Sequence, residues 1–451
     1  MNTEESEKLF TNKMIWYFIL PIAIEKLLLR LLDIADNIMV SHLGENILSG
    51  LSLASQINIF IYEIFRGLVL GGMILVSQLL GRKDIESAHK VSYSLLTFLT
   101  LISFIVSIIV GLYNETIVTL LFGQLNPETY EATTTYLKIL ALTYPTQVIY
   151  FCCSDIFRAM KNSKMPTKIS VMMNLINISC NYIFIYHFNM GVVGAALGTV
   201  IARYLSTITL FLLLCNKKND IYFELNIYKY KIDCSSLREI LSLGISTFID
   251  KGMFQLGKLA VTSILSTFGS VQIAANVIVS NIDLLIELLA DSVSMSSTTI
   301  IGRCVGIKDS KQVKYYAKKL MLMGILSIII TLPILLLLIP ILHSLYGVSN
   351  EVWNLAMLLT AMSYISVILF YIPSFTLANI LRATGDVKFT MIISVSSMWI
   401  FRFGASYIIA KYFGLGVIGI KIAMAMDWAF RSIMFLSRYR SNKWQNTKSF
   451  L

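Results

Sequence analysis

Charged side chains are scarce in this sequence. Asp, Glu, Lys and Arg make up 14% of its 451 residues, where an ordinary soluble domain carries about 25%. That shortage excludes a disordered chain, a coiled coil and nearly every soluble multidomain enzyme. Histidine is sparse as well. His42, His89, His187 and His343 stand far apart, so they build neither a metal cluster nor a His-based catalytic site. The cysteines (Cys152, Cys153, Cys180, Cys215, Cys234 and Cys304) fall in apolar runs or at basic loop edges without a CxxC spacing. A disulfide framework and a zinc site are thereby excluded. No phosphate loop is present either, since GGM at 71–73 lacks the Lys-Ser/Thr that would follow one.

What the chain has instead is long apolar runs. Hydrophobic residues reach 56%, and LLTFLTLISFIVSIIVGL (95–112) contains no charge at all. Runs of about 18 or more apolar residues read as membrane helices, because only a helix or a closed barrel satisfies its own backbone in lipid. The fold class expected is therefore an all-α polytopic membrane protein. Twelve transmembrane spans are predicted near 14–41, 46–80, 91–114, 130–157, 167–187, 191–215, 239–267, 271–303, 313–344, 352–380, 388–411 and 416–437. Turn residues punctuate the breaks, as in SHLGEN, GRKD, QLNPE and YGVSN. The acidic start MNTEESEKLFTNK precedes no small-residue cleavage site, so the first span is expected to be retained.

The net charge of +11 could point to nucleic acid, and its placement argues otherwise. Arg82, Lys83 and Lys90, then Arg158, Lys161, Lys164 and Lys168, then Arg303, Lys308 and Lys311 occupy alternate loops. The loops between them carry Glu45, Glu115, Glu128, Glu131 and Glu351, with Lys411 as their lone base. The positive-inside rule then puts both termini and the basic loops in the cytoplasm of a multi-pass plasma-membrane protein.

A shift of about 225 residues lays one half on the other. It pairs PIAIEKLLLRL (21–31) with STFIDKGMFQL (246–256), Glu25 with Asp250, and GRKD (81–84) with GIKD (306–309). FRAMKNSK (157–164) meets LRATGDVK (381–388), and GVVGAALGTVIAR (191–203) meets GVIGIKIAMAMDW (416–428). Ordered matches at loops and helices alike signal an internal repeat. An even number of spans per half implies two six-helix lobes related by a pseudo-twofold along the membrane normal. The expected organisation is an N-terminal lobe (1–215), a cytoplasmic linker (216–236) and a C-terminal lobe (237–451) with a short basic tail. Two lobes around a cleft are the ingredients of alternating access.

Ionisable residues inside spans are costly and default to functional hypotheses. On the first helix Glu25 and Asp36 share one stripe, while Arg30 and Asp33 stand three apart and can pair. Asp36 has no base in its own stripe and so must be protonated or meet a cation. Asn177 and Asn181 share a face of the fifth span, and Thr199 follows in the sixth. Oxygen donors of this kind beside a carboxylate suit a hard cation, although Asn and Thr also serve as packing glue. In the second half, Asp250, Lys251 and Lys258 lie on the seventh span, and Asp283, Glu287 and Asp291 on the eighth at steps of four. Lys251 with these acids reads as a salt-bridge network, or the acids as a lure for cations. Local pairs are expected for Glu63–Arg66, Asp155–Arg158 and Asp427–Arg431, and Arg203 is expected to snorkel to the membrane surface.

The segment LPIAIEKLLLRLLDIADNIMVSHLG (20–44) resembles the opening of the multidrug and toxic-compound extrusion (MATE) family, with Asp36 at the family's first-helix aspartate. LVSQLLGRKD, GVVGAALGTVIAR, GISTFIDKGMFQLGKL and GVIGIKIAMAMDWAFR extend the likeness along the whole chain. The resemblance implies an antiporter that exports organic cations and other amphipathic compounds in exchange for Na⁺ or H⁺. It implies a coupling-ion site at Asp36, Asn177, Asn181 and Thr199, with no other cofactor or metal. Asn181 stands where members often carry aspartate, and Ser246 and Asp250 replace a seventh-helix proline and its downstream glutamate. LLTAMSYISVILFYIPSF supplies no tenth-helix acid. Glu25, Asp33, Asp250, Lys251, Asp283, Glu287 and Asp291 are the substrate or cavity candidates. The expected partners are small molecules and the lipid bilayer, with no nucleic acid and a monomeric state. The alternatives are a lipid-linked oligosaccharide flippase, kept alive by Lys26, Arg30, Lys251, Lys258 and Arg402, and a membrane-embedded enzyme, which lacks a nucleophile constellation.

Overall fold

A computed structural model describes residues 9–224 and 234–447, without the side chains of 30–38, 41, 234 and 345. Among the described residues twelve helical rods succeed one another. In the first half these are α1 (Asn12–Ser41), α2 (Glu45–Gly81), α3 (Ile85–Leu112), the broken rod α5 (Pro127–Ala141) with α6 (Tyr144–Ala159), α7 (Lys164–Tyr182) and α8 (Gly191–Leu214); a short α4 (Asn114–Phe122) follows α3. The second half holds α9 (Cys234–Leu265), α10 (Ser270–Gly306), α11 (Ser310–Tyr346), α12 (Asn350–Ser366) leading into α13 (Leu377–Ala383), α14 (Val387–Ser397) and α15 (Gly416–Arg440). No strand occurs among the described residues.

Eight of these rods are long and apolar enough to cross a bilayer on length and composition alone. Side chains such as Leu120, Leu337 and Leu112 stand 83%, 77% and 75% exposed, surroundings that suit lipid rather than water. α15 misses that standard because Lys421, Asp427, Arg431, Arg438 and Arg440 crowd it. The fourth predicted span misses it for another reason. It was expected unbroken over 130–157, but its two pieces run only 15 and 16 residues. Pro145 has no N–H to continue the ladder, and the Ser107 hydroxyl donates to the freed Ala141 carbonyl at 2.7 Å. The matching rod of the second half is irregular too, turning π-helical over Val367–Thr376 around Pro373.

Backbone detail repeats between the halves. Asp84 and Asp309 each cap the helix after them, accepting from Ser87 N at 3.0 Å and from Lys311 N at 2.9 Å. Each follows a lysine with positive φ, Lys83 at 61° and Lys308 at 57°. α2 and α10 each run 37 residues.

The chain divides into two compact units, one of Leu20–Phe248 and one of Met1–Ile19 with Ile249–Leu451. Both boundaries fall inside helices, one in α1 and one in α9. Phe10, Ile15 and Ile19 accordingly pack with Val293, Ile301, Tyr316 and Phe435 in one core. Ile240 joins Phe65, Val69 and Val76 in the other. In the first of these units α2 and α9 touch backbone to backbone. A Cβ on Gly67 would sit 2.8 Å from the Thr247 carbonyl oxygen, and one on Gly71 would collide with Gly244. Thr247 Oγ1 donates to the Gly67 carbonyl at 2.5 Å. Close approach through small residues is a recurrent way of packing helices in lipid.

Candidate functional site

α7 and α8 are joined by a π-helical turn, Ile183–His187, and by positive φ at Asn189 and Gly191, so the chain reverses tightly and the two helices lie together. Asn177 and Asn181, one turn apart on α7, are both buried. Asn177 Nδ2 donates to Thr199 Oγ1 at 3.1 Å, and that hydroxyl donates to the Ala195 carbonyl at 3.1 Å. Gly198 lets α8 close on Asn181, since a Cβ there would overlap the Asn181 side chain. Three of the four predicted coupling residues therefore meet at one place, where their oxygens can serve a hard cation. Asp36 and Asp33 belong to α1, but their side chains lie outside the described residues.

Glu25 occupies a different setting. It lies 7% exposed, and its carboxylate accepts from Arg158 Nη2 at 2.9 and 3.1 Å and from Thr167 Oγ1 at 3.2 Å. Arg158 also holds Asp155 at 2.8 Å. The second half repeats this arrangement with Asp250 against Arg382 at 2.5 Å, and Arg382 donates to Asn379 at 2.6 Å. Glu25 matches Asp250 and Arg158 matches Arg382 in the sequence repeat. The partner of each acid was legible only by combining the two matches, because each arginine is far along the chain from its acid.

Among the C-terminal acids, Asp283 pairs with Lys421 on α15 at 2.7 Å, and the Ser363 hydroxyl donates to the same carboxylate at 3.3 Å. No local pattern linked Lys421 to Asp283. Glu287, one turn on, is half-buried and makes no ion pair among the described residues. Asp291 is exposed, and Lys251 is half-buried on α9. Asp427 is wholly buried and pairs with Arg431 at 2.8 Å as expected. Arg402 approaches it at 3.7 Å, and the Ser397 hydroxyl also donates to it.

Two arginines depart from expectation. Arg66 forms no pair with Glu63 and lies over the Phe151 ring at 5.0 Å. Arg203 does not snorkel: its guanidinium donates to the Tyr62 hydroxyl and to Thr143 Oγ1 at 2.9 Å. The broken rod brings Thr143 within its reach, so a bond inside the bundle replaces the stretch to the surface.

The family model MatE matches this chain twice, over residues 21–183 and 248–408. The chain belongs to the MatE family. The double match follows the same internal repeat that pairs Glu25–Arg158 with Asp250–Arg382. Among MatE relatives, the chain is 26% identical to an uncharacterized transporter, YisQ, of Bacillus subtilis (strain 168), covering 94% of this chain and 93% of that protein. It is 24% identical to a probable multidrug resistance protein NorM of Thermotoga maritima, covering 94% and 91%. A crystal structure of MATE in complex with MaL6 superposes with TM-score 0.87 at 19% identity over 96% of this chain and 97% of that one. An outward-facing MATE transporter of the MOP superfamily gives 0.86 at 19% identity over the same shares. The fold is thus that of MATE transporters, and the chain is a membrane transporter by family.

Proposed function

We propose that this chain is a secondary active antiporter that exports organic cationic or amphipathic compounds in exchange for Na⁺ or H⁺. Asp36, Asn177, Asn181 and Thr199 form its coupling-ion site. The observation carrying this reading is the junction of α7 and α8, where Asn177 bonds Thr199 at 3.1 Å beside buried Asn181. The names of NorM relatives as multidrug resistance proteins support the substrate class. Binding at the site must favour one conformation over the other, since an ion indifferent to the two moves nothing. A cation entering from outside stabilises the state that releases substrate, and its departure to the cytoplasm restores the state that loads. The protein works in the plasma membrane with both termini cytoplasmic.

Uptake of a cationic dye into inverted vesicles, with a Na⁺ gradient and a pH gradient imposed separately, tests the coupling. Asp36→Asn is expected to abolish gradient-driven uptake while the protein still accumulates in the membrane. Undiminished uptake by that variant would remove Asp36 from the mechanism. Dye movement under one gradient alone names the ion.

A further inference from the structure

The first half carries a guanidinium that is given no countercharge among the described residues. Arg203 falls halfway along α8, one helical turn beyond Thr199 on the same face. A charge at that depth is costly, so it needs compensation. The compensation found is neutral: the Tyr62 hydroxyl, Thr143 Oγ1 and the face of the Tyr62 ring at 4.9 Å. Both bonds use Nη1. Nη2 and Nε bond no described residue, the residue is half-buried, and Arg203 forms no ion pair among the described residues.

Capping of the broken rod does not explain the charge. The carbonyls freed there already have neutral donors, Ser107 for Ala141 at 2.7 Å and Tyr204 for Leu142 at 3.0 Å. Nor does the repeat require a cation at this position. The shift that lays Gly191 on Gly416 lays Arg203 on Trp428, a buried ring in the other half.

Arg203 is also not isolated. The Tyr62 ring meets Phe151 edge to face at 6.4 Å, and Arg66 lies over Phe151 at 5.0 Å. Arg66 likewise makes no hydrogen bond or ion pair among the described residues. Two cations thus flank a pair of contacting rings across α2, α6 and α8. A guanidinium's planar fork matches a carboxylate, and the neighbouring rings favour a flat aromatic body.

We propose that Arg203, with Arg66 behind it, is a subsite for the anionic group of an aromatic amphiphile, a carboxylate above all. The proposal rests on the transport reading and deepens it, because it adds an anion-accepting point beside the cation site. A molecule with a carboxylate would place that group on Arg203 and its flat body along the rings.

Rhodamine 110, which bears a free carboxylate, and rhodamine 123, its methyl ester, form a matched pair of probes. Binding of each to the purified protein in nanodiscs is read by fluorescence polarisation, which needs no gradient and stays interpretable whatever the coupling ion. Arg203→Gln is expected to lower the acid-to-ester affinity ratio tenfold or more. Arg203→Lys keeps the charge without the fork and is expected to lower it about threefold. Should Arg203→Gln fail to accumulate, Arg203→Lys decides. A ratio unchanged in the variant, or an equal loss of both dyes, would overturn the subsite and leave a structural role for Arg203. Failure of the transport reading would show separately, as wild-type protein that moves neither dye under either gradient.

Discussion

At the scale of single residues, the balance of charge inside the bilayer separates structure from candidate function. Glu25 and Asp250 share the spacing and burial expected of cavity acids, yet both are consumed by arginines, Arg158 at 2.9 Å and Arg382 at 2.5 Å. Removing one partner of a buried pair strands the other charge and typically costs about 3–5 kcal/mol, whereas replacing both by apolar residues of similar size is far milder. Arg382→Gln should therefore lower the thermal unfolding temperature in detergent more than the double change Asp250→Leu with Arg382→Met. The reverse order would show that the pair is not what holds α9 to α13. A gentler case lies at the α3 cap. The Ser87 backbone N–H, and then its hydroxyl, hold the Asp84 carboxyl below its ordinary value. A depressed folded pKa stabilises above the unfolded value and loses that contribution as pH falls through the folded one. The Ser87 amide should thus be protected above about pH 4 and lose that protection, approaching its intrinsic exchange rate, as pH falls below it. Asp84→Ala should abolish that dependence.

At the scale of elements, most helices were legible because apolar runs and turn residues act locally. The rods at 45–81 and 270–306 agree closely with the spans expected. The break at Leu142–Thr143 was not foreseen, because whether Pro145 kinks or splits a helix depends on donors from elsewhere, here Ser107 and Tyr204. The contact of α2 with α9 was half-legible. Gly71 and Gly72 leave α2 small enough there for close approach, but the partner of Gly71, Gly244, is far along the chain. Gly71→Leu should destabilise by at least about 1–3 kcal/mol, since the obstructing atoms are backbone and cannot rotate away. Limited proteolysis of the variant in native membranes would register the loosened α2–α9 contact. Resistance equal to wild type would contradict this packing.

At the scale of the whole molecule, the units do not coincide with the halves of the sequence. One unit begins with the first turns of α1 and resumes within α9. Phe10 N donates to the Tyr316 hydroxyl at 2.8 Å, and that hydroxyl donates to the Phe10 carbonyl at 2.9 Å. The fragment 234–451 expressed alone should therefore be protease-sensitive, with Tyr316 and Val293 uncovered. Co-expression with 1–224 should restore its resistance. A fully resistant lone fragment would show that Phe10, Ile15 and Ile19 are dispensable to that core.

The sequence by itself determined the all-helical membrane class, the rods and their repeat, because hydrophobic run length, turn chemistry and a fixed offset are properties of neighbours along the chain. It also marked Asn177, Asn181 and Thr199, which a tight reversal was bound to bring close. Only the tertiary structure decided which charges are spent. Lys421 reaches Asp283, Arg382 reaches Asp250, and Arg203 finds two hydroxyls and a ring but no carboxylate among the described residues. Such partners lie far apart in the chain, and the cost of a charge in lipid depends on what surrounds it rather than on what precedes it.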